Sequence, residues 1–211
     1  MGTMLQAHDL TLEDFEGHEG CNEILNVTRP DVVRAVHDAY FEVGVDLVET
    51  NTFGANWANL AEYDITERIE ELAQAGARIA RESADHWSTP QQPRFVIGSV
   101  GPGTKLPTLG HAPYALLRDA YQRQVEGMLA GGVDAVLVET VQDVLQAKAA
   151  LVGARRAMDA VGSSAVLIAQ ITVETTGTML VGTETSAALV ALEPLGTDLI
   201  GMNCATGPAE M

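Results

Sequence analysis

Ala135-Val-Leu-Val-Glu-Thr140 is a continuous apolar run that ends in an acid and a hydroxyl, and four other stretches repeat its plan. They are Asp46-Leu-Val-Glu-Thr-Asn-Thr-Phe-Gly54, Phe95-Val-Ile-Gly-Ser-Val-Gly-Pro-Gly103, Val166-Leu-Ile-Ala-Gln-Ile-Thr-Val-Glu174 and Leu199-Ile-Gly-Met-Asn-Cys-Ala-Thr-Gly-Pro208. A strand buried on both faces reads as such a run, as parallel strands do. Polar groups gathered at the carboxyl ends of successive strands are how a (β/α)8 barrel assembles an active site.

Outward from the strands, helical patterns alternate with them. Pro30 starts a run to about Val43, with Asp31 in its first turn and Val32, Val33, Val36, Ala39 and Tyr40 as its apolar face. Further helical stretches run from about Ile65 to His86, Tyr114 to Leu129, Asp143 to Val161 and Thr185 to Leu192. Three of the helices are followed by Gly-x-Asp and a strand, at Gly44-Val-Asp46, Gly132-Val-Asp134 and Gly196-Thr-Asp198. Glycine after a helix and a short connector is the chemistry of an αβ loop.

Strand ends near Glu49, Ser99, Glu139, Thr172 and Asn203 lie roughly 30–50 residues apart, against about 31 per unit in a barrel of ~250 residues. The alternation specifies a parallel sheet, and a doubly wound open sheet is the competitor. Polar residues on five successive strand ends favour the α/β (β/α)8 TIM barrel. Met1-Gly-Thr-Met is read as the tail of an earlier strand, so about six of eight βα units are expected. Residues 1–211 form one partial barrel domain on this reading, with two more units needed for closure.

The composition excludes several classes. The 211 residues are 46% hydrophobic and 19% charged, with 12 basic against 29 acidic residues and a formal charge of −17. That balance opposes nucleic-acid binding, which needs cations to displace phosphate counterions. The acids are scattered along helical stretches and read as a solvated surface. No run approaches the roughly 20 apolar residues of a membrane span, and the N-terminus lacks signal-peptide features. Two distant cysteines, Cys21 and Cys204, do not make a disulfide framework, so a cytoplasmic, reducing compartment is expected.

Cys204 follows Gly201-Met-Asn203 at a strand end, where a thiolate serves as nucleophile or metal ligand. A catalytic zinc needs further protein ligands, and Cys21 with His8, His18, His37, His86 and His111 shows no ligand spacing. Glu49 and Glu139 place carboxylates at two strand ends, suited to pairing a substrate ammonium or to acid–base work. Gly98-Ser-Val-Gly-Pro-Gly103 and Thr176-Gly-Thr178 offer backbone N–H groups to a carboxylate or phosphate, without a dinucleotide or P-loop spacing.

Five motifs in one order make the resemblance specific: Gly20-Cys-Asn-Glu-Ile-Leu-Asn-Val-Thr-Arg-Pro-Asp31, Val48-Glu-Thr-Asn-Thr-Phe-Gly-Ala-Asn56, Gly98–Gly103, Val138-Glu-Thr140 and Gly201-Met-Asn-Cys-Ala-Thr-Gly-Pro208. Over essentially all 211 residues the chain resembles the homocysteine-binding module at the N-terminus of cobalamin-dependent methionine synthases. The resemblance implies a TIM barrel in which zinc activates the homocysteine sulfur. It assigns Cys204 as one of three cysteine ligands, the other two being an adjacent pair that would fall beyond Met211. It assigns Glu139 to the substrate's amino group and adds Asn51, Ser99, Gly101 and Asn203 as substrate-binding residues. Cys21 matches no zinc ligand.

The family's opening Asp-Gly-Ala-Met-Gly-Thr corresponds here only to Met1-Gly-Thr3, so its substrate-contacting Asp has no counterpart. The implied methyl donor is methylcobalamin, with cobalamin and folate bound by other modules of the full enzyme. A chain with one of three thiolates is expected to be inactive in isolation. The alternatives are a stand-alone homocysteine methyltransferase using betaine or S-methylmethionine, or a non-catalytic binding module.

Overall fold

The computed structural model describes residues 1–207. Pro208, which closes the last motif, lies outside the described residues. The chain runs α1 (Gly2–Leu5), α2 (Leu25–Thr28), α3 (Pro30–Glu42), β1 (Leu47–Glu49), α4 (Trp57–Leu60), α5 (Ile69–Trp87) and β2 (Phe95–Val100). It continues through α6 (Tyr114–Gly131), β3 (Ala135–Val141), α7 (Val144–Val161), β4 (Val166–Ile171), α8 (Thr185–Leu192) and β5 (Leu199–Met202). All neighbouring strands are parallel, in the order β1-β2-β3-β4-β5.

That order decides between the two architectures. A doubly wound sheet reverses its strand order and puts helices on both faces. Here the order never reverses, so each right-handed crossover deposits its helix on the same side. Accordingly α3 packs on α5, α5 on α6, α6 on α7 and α7 on α8. This is barrel winding, in a sheet whose five strands do not close. The sixth strand expected at Met1-Gly-Thr-Met is a correction: those residues fall in and around α1, a single helical turn with Leu5 buried among Leu25, Val32, Val33 and Val36.

Alternation along the strands separates the two faces. Val96 and Val100 of β2, Val136 and Val138 of β3, and Leu167, Ala169 and Ile171 of β4 pack into the core beneath the helices. The opposite face carries Leu47, Phe95, Val166 and Leu199, which remain 40–58% exposed. Ser99 and Glu139 lie on that second face and are buried at its upper end.

The Gly-x-Asp connectors set the register. Gly44, Gly132 and Gly196 each take a positive φ, which ends the preceding helical turn without a Cβ penalty. The aspartate then reaches the adjoining strand. Asp134 Oδ2 accepts the Val96 N–H at 2.7 Å while Asp134 N–H donates to Val96 O. Asp198 repeats this with Leu167, accepting at 2.8 Å. A buried strand amide thus gains an acceptor at the sheet's lower edge.

Glycine also lets the helices lie close. A methyl group at Gly153 of α7 would sit 2.5 Å from the Arg118 carbonyl oxygen of α6, and one at Gly127 of α6 would sit 2.5 Å from Glu70 O of α5. Gly153→Val therefore has to push α6 and α7 apart. We expect it to lower stability by about 2–3 kcal/mol, measured as the shift in urea midpoint. A midpoint within error of the parent would show that the helices are not in this contact.

Candidate active site at the strand ends

The Glu-Thr-Asn-Thr burst after β1 is mostly a fastening. Thr50 Oγ1 accepts the Ser99 N–H at 3.0 Å, and Thr52 Oγ1 donates to Ser99 O at 2.8 Å. With Thr50 and Thr52 hydroxyls 2.6 Å apart, the two threonines hold Ser99 by both backbone groups. Asn51 faces the other way. Its Nδ2 donates to Asn22 O at 2.8 Å and Asn26 Oδ1 at 2.9 Å, while Asn26 Nδ2 donates back to Asn51 O at 2.7 Å. The Gly20–Arg29 approach segment is tied to β1 by this amide pair.

Ser99, so held, donates its hydroxyl to Glu139 Oε1 at 2.6 Å. The second carboxylate oxygen accepts Asn203 Nδ2 from the end of β5 at 3.2 Å. Glu139 is 9% exposed and has no cationic partner among the described residues. Burial raises its pKa above the ordinary carboxylate value, and the nearby Glu49 charge adds to the rise; the Ser99 and Thr140 hydroxyls oppose it. A carboxylate in this setting is short of one positive charge.

Consecutive strand residues normally point to opposite faces, which would aim Glu139 and Thr140 apart. The β3–β4 register shifts between Val138 and Val141, and Thr140 sits at φ +60°. The irregularity delivers both side chains to the mouth, as bulges do beside active sites. Asn203 secures the kink: Thr140 N–H donates to Asn203 Oδ1 at 3.1 Å, and Asn203 Nδ2 donates to Thr140 Oγ1 at 3.0 Å. Thr172 at the end of β4 donates to Asn203 O at 3.1 Å. Cys204 follows at φ +59°, exposed, with Sγ 3.6 Å from Thr140 Oγ1.

A cavity of about 520 Å³ opens beside this cluster, walled by Glu139, Ser99, Glu49, Asn51, Phe53 and Asn22 among others. Glu139, Ser99 and Asn203 are thus brought together, with Cys204 joined through Thr140. Asn51 lines the cavity, but its amide is committed to Asn22 and Asn26. Gly101 gives its N–H to Phe53 O at 3.1 Å, and a side chain there would strike that oxygen and the Phe53 ring. The absence of a side chain there lets the two loops approach closely. In the Thr176-Gly-Thr178 loop, Gly177 N–H donates to Glu174 O at 2.9 Å, so that group is committed as well.

Sequence reasoning missed Thr140 as a distinct element, Asn26, Thr172 and Glu23. Glu23 Oε1 accepts the Gly54 N–H at 2.7 Å and is buried, its pKa raised by desolvation. The signal for Asn26 lay in the quoted approach motif, but nothing local reveals a partner 25 residues away. Cys21 lies elsewhere, against a second cavity with Tyr63 and Asn59. Its thiol is 3.8 Å from Glu23 Oε2 and is pushed up to about 12, by burial first and the Glu23 charge second.

These residues do not amount to a zinc site. Cys204 is the one thiol at the mouth, and no group of three His, Cys, Asp or Glu side chains among the described residues is placed to hold a metal ion. A catalytic zinc takes three protein ligands, of which this mouth supplies one. No helix among the described residues is long and apolar enough to cross a membrane.

The methionine synthases of Mycobacterium tuberculosis and Mycobacterium leprae are 63% and 62% identical to the chain over all 211 residues. The chain spans 18% of the length of each. Among solved structures, the homocysteine methyltransferase MmuM from Escherichia coli in its metallated form superposes with a TM-score of 0.68 at 18% identity, covering 100% of this chain and 91% of that one. Its apo form gives 0.67 at 20% identity, over 93% of this chain and 70% of that one. At such identity the likeness establishes the shared fold. The profile of the family described as Homocysteine S-methyltransferase matches residues 1–211, and the chain belongs to that family.

Proposed function

We propose that this chain is the homocysteine-binding part of a methionine synthase, in which the homocysteine sulfur accepts a methyl group to give methionine. The observation that carries the reading is Glu139: a buried carboxylate, held by two neutral donors and with no cationic partner among the described residues, within one residue of the threonine that touches Cys204. A substrate with an ammonium at one end and a thiol at the other fits that polarity. Identity of 62–63% to two methionine synthases favours a synthase over a stand-alone betaine- or S-methylmethionine-dependent enzyme.

In this reading residues 1–211 act as one partial barrel unit in the cytoplasm. Glu139 takes the substrate ammonium. Ser99 and Asn203 hold that carboxylate in place, Asn51 and Gly101 hold the loops that wall the cavity, and Cys204 supplies one sulfur ligand to zinc. The remaining zinc thiolates, the methylcobalamin donor and the folate site belong to other parts of the longer enzyme.

The test is calorimetric titration of the 211-residue chain with homocysteine, homoserine and zinc, folding being followed by circular dichroism. We expect homocysteine to bind measurably and Glu139→Gln to remove most of that affinity. Zinc alone is expected not to form a tight one-to-one complex, because the mouth offers a single thiol, Cys204, and Cys21 is buried elsewhere. A folded chain with no affinity for homocysteine would overturn the substrate assignment. A tight stoichiometric zinc complex would overturn the single-ligand account.

A further inference from the structure

Thr140 carries more constraint than a spacer between Glu139 and the loop requires. It is β-branched, yet it occupies the left-handed region at φ +60°, where such residues are genuine outliers. Such a conformation persists only where neighbours over-determine it. The neighbour is Asn203, which binds Thr140 twice, at its N–H and at its hydroxyl oxygen. The geometry of two elements is thus spent on where one hydroxyl points.

The polarity of that hydroxyl follows from its partners. Thr140 Oγ1 accepts from Asn203 Nδ2 at 3.0 Å, which uses a lone pair and leaves the hydroxyl proton to be placed. Two acceptors lie near it: the Glu139 carboxylate, whose own pKa the Thr140 hydroxyl pulls down, and Cys204 Sγ at 3.6 Å. Each Glu139 oxygen already takes one donor, from Ser99 and from Asn203, and keeps a lone pair for another. The choice between the two acceptors therefore rests on geometry, and it is Sγ that lies at hydrogen-bonding distance and angle from Thr140 Oγ1. The sulfur, turned back toward β3 by left-handed φ values at Cys204 and Ala205, has Thr140 as its side-chain hydrogen-bond partner.

We propose that Thr140 is a positioning residue for Cys204, its hydroxyl donating to Sγ while Asn203 holds it, so that the sulfur is kept at a set place relative to the Glu139 carboxylate. This rests on the reading of the mouth as a site for a thiol-bearing amino acid, and it names what couples the two ends. The chain Glu139–Asn203–Thr140–Cys204 is continuous, with steps of 3.2, 3.0 and 3.6 Å. Through it, a change at either end is transmitted by one amide and one hydroxyl.

The experiment reads the sulfur directly and does not depend on homocysteine binding. The S–H stretching band of Cys204 is identified in the infrared spectrum of the full 211-residue chain by its loss in Cys204→Ala. Thr140→Val keeps the branched shape and the backbone strain while removing the donor, and is expected to move the band to the position of a free thiol. Thr140→Ser, which restores the hydroxyl, is expected to return it. Should Thr140→Val fail to fold, Thr140→Ala removes the same donor with less bulk. A folded Val or Ala variant whose Cys204 band stays where it is in the parent would overturn the proposal and place the proton on Glu139. Failure of homocysteine to bind would leave this spectrum unaffected, so the two readings fail separately.

Discussion

Glu139→Gln is expected to weaken homocysteine binding by about 10- to 100-fold, the loss of one charge-assisted contact of about 1.5–3 kcal/mol. The substitution is nearly isosteric, so it tests charge and not shape. It keeps an oxygen for Ser99, but the amide nitrogen cannot accept from Asn203 Nδ2 as Glu139 Oε2 does. Part of the effect is therefore local rearrangement, and Ser99→Ala isolates it, since that change removes a donor while leaving the charge. We expect Ser99→Ala to cost less affinity than Glu139→Gln. Equal affinity in Glu139→Gln and the parent would mean that the ammonium is bound elsewhere.

The same carboxylate fixes the pH dependence. Burial raises the Glu139 pKa, so in the free protein it takes up a proton at a higher pH than an ordinary glutamate. An ammonium prefers the charged form, so affinity rises with pH through that raised pKa and is flat above it. Binding at pH values within the rise releases a proton from Glu139. Titrations in two buffers of different ionisation enthalpy measure that release, and its absence in Glu139→Gln assigns it. For stability the sign is reversed: a raised folded-state pKa favours the fold below the unfolded value, and that contribution is lost as pH rises through the folded one.

The second large effect is expected at Asn26. Asn26→Ala removes a fully buried amide that donates to Asn51 O at 2.7 Å and Leu72 O at 3.1 Å and accepts from Asn51 Nδ2 at 2.9 Å. Asn51 then keeps one donor contact, to Asn22 O, and its own buried carbonyl loses the Asn26 donor. Stranded buried groups cost about 1–3 kcal/mol each, and we expect about 3 kcal/mol in total. Packing adds to this, because Gly76 of α5 is a glycine where a Cβ would lie 2.6 Å from Asn26 Nδ2. The measurement is the urea midpoint at unchanged slope. A loss below about 1 kcal/mol would show that water replaces the amide.

Asn26 and Glu139 mark the two limits of what the linear sequence conveys. Glu139 announces itself, because an acid closing a four-residue apolar run at a strand end has few structural uses. Asn26 does not, because its meaning depends on Asn51 and on the backbone of α5, and no local pattern links residues that far apart. The same contrast holds for Asn51 and Gly101. Both sit in motifs whose order carries the family resemblance, yet their polar groups are turned to the approach segment and to the Phe53 carbonyl. A motif records that a residue type is needed and is silent on which neighbour needs it.

Hydrophobic runs, helix starts and glycine stops are local, so the sequence by itself determined the alternation of β and α, the five strand ends and four helix spans to within about two residues of those observed. The helix expected from Ile65 begins instead with a short 3-10 turn at Thr66–Arg68 before α5. Tertiary structure alone decided three things. It set the strand order without reversal, because handedness acts between elements. It made Met1-Gly-Thr-Met a helical turn instead of a strand, because Leu5 finds its apolar partners among α2 and α3. And it turned Thr140 into the mouth beside Glu139, because a register slip between β3 and β4 and a double hydrogen bond from Asn203 hold a conformation that threonine does not choose for itself.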